Sequence, residues 1–108
     1  MTFGFDPKIC NPNRLRLLVT LANECPNGKC PFTELRDAVG LTDGNLASHI
    51  RCLKKLGFVE TEKTFWNNYP RTFVRITEKG LTELCNYAEW LVDYVLDAIP
   101  TGRDRRDD

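Results

Sequence analysis

The chain has 108 residues, 42% of them hydrophobic and 28% charged, and its formal net charge is zero. That length supports one core and excludes two, and the balanced charge excludes a uniformly basic or acidic protein. No apolar run is long enough to span a membrane, and the N-terminus lacks the basic-then-apolar order of a secretory signal, so a cytoplasmic location is expected.

Residues 3–11 carry no long periodic pattern, and Phe5 and Ile9 are expected to dock a short helical turn on the core. Asn11-Pro12 is a helix start, with Asn as N-cap and Pro at the first helical position. Leu15, Leu18, Val19 and Ala22, flanked by Leu17 and Leu21, then form an apolar helix ending near Asn23. Residues 24–31 are dense in Pro, Asn and Gly and read as a loop. After a short extended piece ending at Phe32, Thr33 is expected to cap a helix of residues 34–39. Leu35, Ala38 and Val39 face inward and Gly40 stops it.

Residues 42–57, Thr-Asp-Gly-Asn-Leu-Ala-Ser-His-Ile-Arg-Cys-Leu-Lys-Lys-Leu-Gly, organise the rest. Thr42 is an N-cap, Asp43 suits the positive end of the helix dipole, and Gly57 can close the helix. Leu46, Ile50, Leu53 and Leu56 form one apolar stripe, which leaves Gly44, Ser48, Arg51 and Lys55 opposite. Such a face is either the solvated side of a core helix or a surface laid in a DNA groove, where the missing side chain at Gly44 lets backbone approach. The helix by itself leaves both open. With the preceding short helix and the turn at Gly40 it makes a helix-turn-helix.

From Phe58 the period changes to two. Residues 58–64 and 72–77 read as two strands, joined by a turn-rich connection of residues 65–71. A helix-turn-helix followed by a hairpin is a winged helix, so the fold class is α+β, mainly helical, with a two-to-three-stranded wing. The last helix is expected over residues 78–99. Leu84, Ala88, Leu91 and Val95 recur in a four-three-four rhythm, Tyr87, Trp90 and Tyr94 add an aromatic flank, and Glu89, Asp93 and Asp97 form the solvated edge. That helix is too apolar for the surface of a monomer, which makes the four aliphatic positions candidates for dimerisation. The domain is placed at residues 1–99, and residues 100–108 alternate charges as a disordered tail would.

Zero net charge hides an uneven distribution. Residues 42–75 hold six Lys or Arg against three acids, and residues 76–99 hold one Lys against five acids. One face suited to phosphate and another turned away from it follow from that split.

Five cysteines, an odd number without a signal peptide, read as reduced thiols. Cys52 and Cys85 fall at helical positions expected to be buried. Cys25-Pro-Asn-Gly-Lys-Cys30 is a tight reversal able to bring two α-carbons within the ~4.4–6.8 Å of a disulfide. With Lys29 favouring a thiolate, Cys25 and Cys30 are a candidate redox pair, against the plain alternative of two reduced loop side chains. His49 is the one histidine, at the edge of an apolar stripe, and reads as a structural side chain. No Ser-His-acid set, paired-carboxylate cleft, phosphate-binding Gly loop or zinc spacing is present, so no enzyme, metal or cofactor is expected.

The ordered motifs Asn11-Pro-Asn-Arg-Leu-Arg-Leu-Leu, Phe32-Thr-Glu-Leu-Arg, Leu41-Thr-Asp-Gly-Asn-Leu-Ala-Ser-His-Ile, Leu56-Gly-Phe-Val-Glu, Arg71-Thr-Phe and Ile76-Thr-Glu-Lys-Gly carry a resemblance. Over roughly residues 5–98 the chain resembles the MarR/ArsR-type winged-helix transcriptional regulators, in their short single-domain form. The resemblance implies a homodimer with its recognition helix, residues 42–56, in the major groove and the hairpin of residues 58–77 as a wing. It implies Thr42, Asn45, Ser48 and Arg51 near bases or phosphates, Lys55 on phosphate and Arg71 at the wing tip. The partner implied is double-stranded DNA carrying an inverted-repeat operator, most simply bound by a repressor. The tip departs from the pattern: Trp66, Asn67, Asn68 and Tyr69 stand where relatives carry basic residues. A winged helix serving as a protein-interaction module, and a regulator switched by Cys25 and Cys30, therefore remain as alternatives.

Overall fold

The computed structural model describes residues 5–99, and the tail expected at residues 100–108 lies outside them. After a 3-10 turn at Pro7–Cys10 come α1 (Pro12–Glu24), β1 (Lys29–Pro31), α2 (Phe32–Val39), α3 (Asp43–Lys55), β2 (Val59–Trp66), β3 (Tyr69–Ile76) and α4 (Glu78–Ala98). The strands form one antiparallel sheet in the order β1-β3-β2. This is a mainly helical α+β winged helix with a three-stranded sheet and a long C-terminal helix.

The Asn11 side chain accepts from the amides of Asn13 (2.9 Å) and Arg14 (3.3 Å), as an N-cap should. The buried side of α1 differs from the expected stripe: Leu17, Leu18 and Leu21 are buried, while Val19 is 41% exposed and Ala22 is exposed. Apolar residues cover a little more than half of this helix's circumference, so periodicity is ambiguous and packing against α2, α3 and α4 decides. Helix α2 begins at Phe32 behind an extended Pro31 and has no side-chain cap, so Thr33 falls inside its first turn. Proline fixes the entry there without a capping hydroxyl. Leu35 and Val39 are buried but Ala38 faces solvent. Gly40 is left-handed with its amide on the Arg36 carbonyl (2.9 Å), and Leu41 packs half-buried against the core.

In α3 the Thr42 hydroxyl accepts from the Asn45 amide (3.1 Å), and Leu46, Ile50 and Leu53 are buried. Gly57, at φ 82°, ends the helix: its amide reaches the Lys54 carbonyl while that of Phe58 reaches Leu53. Only a left-handed residue makes that paired closure, and it turns the chain directly into β2.

The hairpin is longer than the sequence pattern indicates, with strands running to Trp66 and resuming at Tyr69 around a two-residue turn, Asn67-Asn68, at φ 51° and 68°. Asparagine tolerates that conformation, so Asn-Asn makes the tight turn usually signalled by Asn-Gly. Pro70 is tolerated because it lies beyond the stretch of β3 that β1 pairs.

Helix α4 is joined to the end of α3 by Thr77, whose hydroxyl donates to the Gly57 carbonyl (2.6 Å) and accepts from the Gly80 amide (3.0 Å). Gly80 sits against the Phe58 carbonyl, where a Cβ would overlap backbone. Farther along, Tyr87 and Trp90 turn inward onto the buried Phe5, with ring centroids at 5.0 and 5.3 Å. Tyr94 stacks on Trp90 at 5.0 Å and remains 58% exposed. The aromatic flank is thus mostly spent inside the domain. Leu84 and Leu91 are half-buried, whereas Leu81, Ala88, Val92, Val95 and Ile99 are exposed along one adjoining side. Cys85 is exposed and Cys52 half-buried, so neither is the buried residue the pattern indicates. No described helix is long and apolar enough to cross a membrane.

Candidate nucleic-acid interface

With the apolar stripe of α3 in the core, Gly44, Ser48, Arg51 and Lys55 are all exposed along its outer face. A Cβ on Gly44 would meet nothing within 4 Å, so the helix presents bare backbone there. Thr42 and Asn45 are exposed at the N-terminal end of the same helix. On one flank, Lys54 donates to the Thr61 hydroxyl (2.8 Å) and ties α3 to β2. A shallow cleft lined by Ala47, Arg51, Lys54, Thr61 and Thr72 makes the surface continuous from helix to sheet.

Register fixes the two faces of the wing. Thr61, Lys63 and Phe65 pair with Val74, Thr72 and Pro70 on the α3-facing side, and Glu60, Glu62 and Thr64 pair with Arg75, Phe73 and Arg71 on the other. On the outer side Arg75 binds Glu60 (2.8 Å) and Lys29 binds Glu62 (2.7 Å), which holds the Glu62 carboxyl below the usual range. Asp43, the acid on α3, is bound by Arg36 (2.8 Å). All three acids of residues 42–75 are therefore matched by a cation. Arg51, Lys54, Lys55 and Lys63 are exposed and form no ion pair among the described residues. Neutralised acids and unmatched cations make this surface positive in a protein without net charge.

Arg71 is not at the tip. It sits opposite Thr64, behind the turn, 3.5 Å from Glu34 with its guanidinium over the Phe73 ring. An exposed pair at that distance contributes little, so the side chain is restrained only weakly. Lys54 and Lys63 were not singled out by the sequence. The Lys54-Lys55 doublet and the alternation of β2 were the available signals, but which lysine shares a face with Arg51 depends on tertiary placement.

His49 lies on the other flank of α3, where its Nδ1 accepts from Arg14 Nε (3.3 Å), and Arg14 also donates to the Lys8 carbonyl (3.0 Å). Burial, and then the Arg14 guanidinium, hold this imidazole below the usual histidine range. It is a structural link between α1 and α3. Cys25 ends α1 and Cys30 is buried in β1, both as free thiols sharing a hydrogen bond. Burial first and that bond second push the Cys30 thiol up to about 12. Lys29 does not favour its thiolate: adjacent strand residues point to opposite faces, and the ammonium lies with Glu62 and over the Phe73 ring. Among the described residues no three His, Cys, Asp or Glu come together as metal ligands.

Residues 13–95 match the family described as winged helix DNA-binding domain. A transcriptional regulator homologue from Pyrococcus horikoshii OT3 is 35% identical, with a TM-score of 0.71 over 85% of this chain and 87% of that one. A MarR family transcriptional regulator from Streptomyces coelicolor, solved in complex with DNA, is 26% identical with a TM-score of 0.66, over 86% of this chain and 60% of its own. An uncharacterized protein of Methanocaldococcus jannaschii is 41% identical over 58 residues, which are 54% of this chain and 63% of that relative's length. The helix-turn-helix, the wing and the positive surface between them are what a DNA-binding winged helix requires. The chain belongs to the winged helix DNA-binding domain family, and its structural neighbours are MarR-family transcriptional regulators.

Proposed function

We propose that the protein is a homodimeric, sequence-specific transcriptional regulator acting in the cytoplasm as a repressor. The observation that carries this reading is the set of four unmatched cations, Arg51, Lys54, Lys55 and Lys63, on one continuous helix-and-wing surface. Helix α3 enters the major groove with Gly44 against the backbone. Asn45, Ser48 and Arg51 read base edges, while Thr42, Lys54, Lys55, Lys63 and a released Arg71 hold phosphates. Repression follows from occupancy, since a dimer seated on promoter DNA excludes the polymerase.

The exposed aliphatic side of α4 supports the dimer. Leu81, Val92, Val95 and Ile99 are each at least 40% exposed, and Ala88 lies among them. A second copy would cover them about a two-fold axis, with Leu84 and Leu91 at the border of the contact. Two recognition helices so related require an inverted repeat, with half-sites about one turn, roughly 10 bp, or a multiple apart.

The test is a titration of the protein against its own upstream region and against random DNA at two salt concentrations, with sedimentation at micromolar protein. Tighter, salt-sensitive binding to the upstream region by a dimer is expected. Absence of DNA binding would overturn the regulator, and a sedimenting monomer would overturn the dimer.

A further inference from the structure

We infer that the tip of the β2-β3 hairpin enters the DNA minor groove as an uncharged aromatic wedge that bends the duplex. The inference rests on the DNA-binding reading above. The six tip residues, Phe-Trp-Asn-Asn-Tyr-Pro at positions 65–70, contain no charge. Phe65 is 76% exposed and Tyr69 73%, on opposite faces of the hairpin by register, with Pro70 opposite Phe65. The nearby cations lie behind it: Lys63 is two residues back, and Arg71 is turned to Glu34 and Phe73. This tip is therefore not built to attract phosphate.

Its position nevertheless belongs to the DNA surface. Phe65 shares a face with Lys63 and Thr61, and Thr61 is bonded to Lys54 of α3. From Val59 to Phe65 the strand covers about 20 Å at ~3.3 Å per residue. Half a helical turn of DNA, which separates a major groove from the adjoining minor groove, is about 17 Å. With a helix in the first groove, the hairpin is thus long enough to reach the second. The tight Asn67-Asn68 turn makes that tip narrow, and its side-chain amides suit the acceptors on the floor of the groove. Apolar and aromatic groups at that depth act by parting a base step, which kinks the duplex by roughly 20–90°. The gain is contact and bending, without counterion release. Sequence preference under the wing then follows the ease of unstacking, with pyrimidine–purine steps favoured.

The experiment compares wild type, the double variant Phe65→Ala/Tyr69→Ala and Lys63→Ala on an operator defined by footprinting. Affinity is measured at several salt concentrations, and bend angle by energy transfer between end-labelled duplex ends. Because the aromatic side chains are mostly exposed, the double variant should melt like wild type. Its affinity should fall about ten-fold, the scale of one lost base–aromatic contact, with an unchanged salt slope and loss of the bend. Lys63→Ala should keep the bend and reduce the slope by about one. A double variant that binds and bends as wild type does would overturn the wedge while leaving DNA recognition standing, and the tip would then be free for a protein partner. A double variant that lowers the salt slope and keeps the bend would overturn it in favour of an electrostatic role. Failure of wild type itself to bind DNA would remove the reading beneath it.

Discussion

Gly44 separates binding from folding at the N-terminal end of α3. A side chain there meets nothing inside the protein, and Gly44→Ala should stabilise the helix by roughly 0.5 kcal/mol. Gly44→Phe should fold as well but bind operator at least about ten-fold more weakly if backbone approaches DNA at this point. A melting curve and a titration on the same sample check both. Arg51→Ala should cost about 1–3 kcal/mol and relax specificity at one base pair, while Lys55→Ala should weaken all sequences alike and flatten the salt dependence. Competition with single-base operator variants distinguishes them. His49 offers a pH test. Its folded pKa is lowered by burial and by Arg14, so the unfolded chain binds the proton more readily. The stabilising effect of neutral His49 is complete above its unfolded value of about 6.5 and is lost as pH falls through the folded value. Melting temperatures between pH 7.5 and 5 should fall more steeply for wild type than for His49→Gln. What could be read at this scale was the face of α3, since helical spacing fixes which residues oppose Leu46, Ile50 and Leu53. The setting of Cys30 could not be read that way. Lys29 is next to it in sequence but across the sheet from it, and burial works against the thiolate that adjacency implies.

Caps and junctions carry the element scale. Asn11, Thr42 and Thr77 start their helices as a sequence reader would place them, because a hydroxyl or amide reaching back two or three residues is a local event. Thr33 fails for the complementary reason: Pro31 already ends β1 and launches α2, leaving no cap for it to fill. The hairpin was legible as two strands but not in length, since Asn-Asn and Tyr-Pro resemble loop while forming turn and strand. Gly80 had no sequence signal. It lies one turn into α4 where the helix crosses the Phe58 carbonyl, and Gly80→Ala should cost about 1–3 kcal/mol through overpacking against backbone that cannot yield. Denaturant unfolding of that variant, with Gly40→Ala as a strained but uncrowded comparison, measures the difference.

For the whole molecule, the long C-terminal helix divides its sides between the domain's own core and the outside. Leu84, Tyr87 and Trp90 pack inward, and the acidic edge of Glu89, Asp93 and Asp97 faces away. Val92, 55% exposed, lies on the remaining aliphatic side. Val92→Lys should leave the monomer folded and shift sedimentation from dimer to monomer. Operator affinity should fall by at least about ten-fold as the second half-site is lost. An apolar helix predicted from sequence could not show this division, because two of the three residues on its aromatic flank, Tyr87 and Trp90, pack on Phe5.

The matched acids around α3 also bear on how the molecule is shared among the DNA of a cell. Genomic competitor outnumbers any operator by about a million-fold or more, and binding to it is driven almost wholly by charge. A globally cationic regulator would be held on that excess. Here the overall charge is zero, while screening confines the pull of the four exposed cations to about 8 Å. On the regulator reading proposed above, off-target attraction is then limited to the phosphates that those four cations reach. On that same reading, occupancy of the correct site would track protein concentration closely, and a modest change in synthesis or turnover would suffice to switch the promoter.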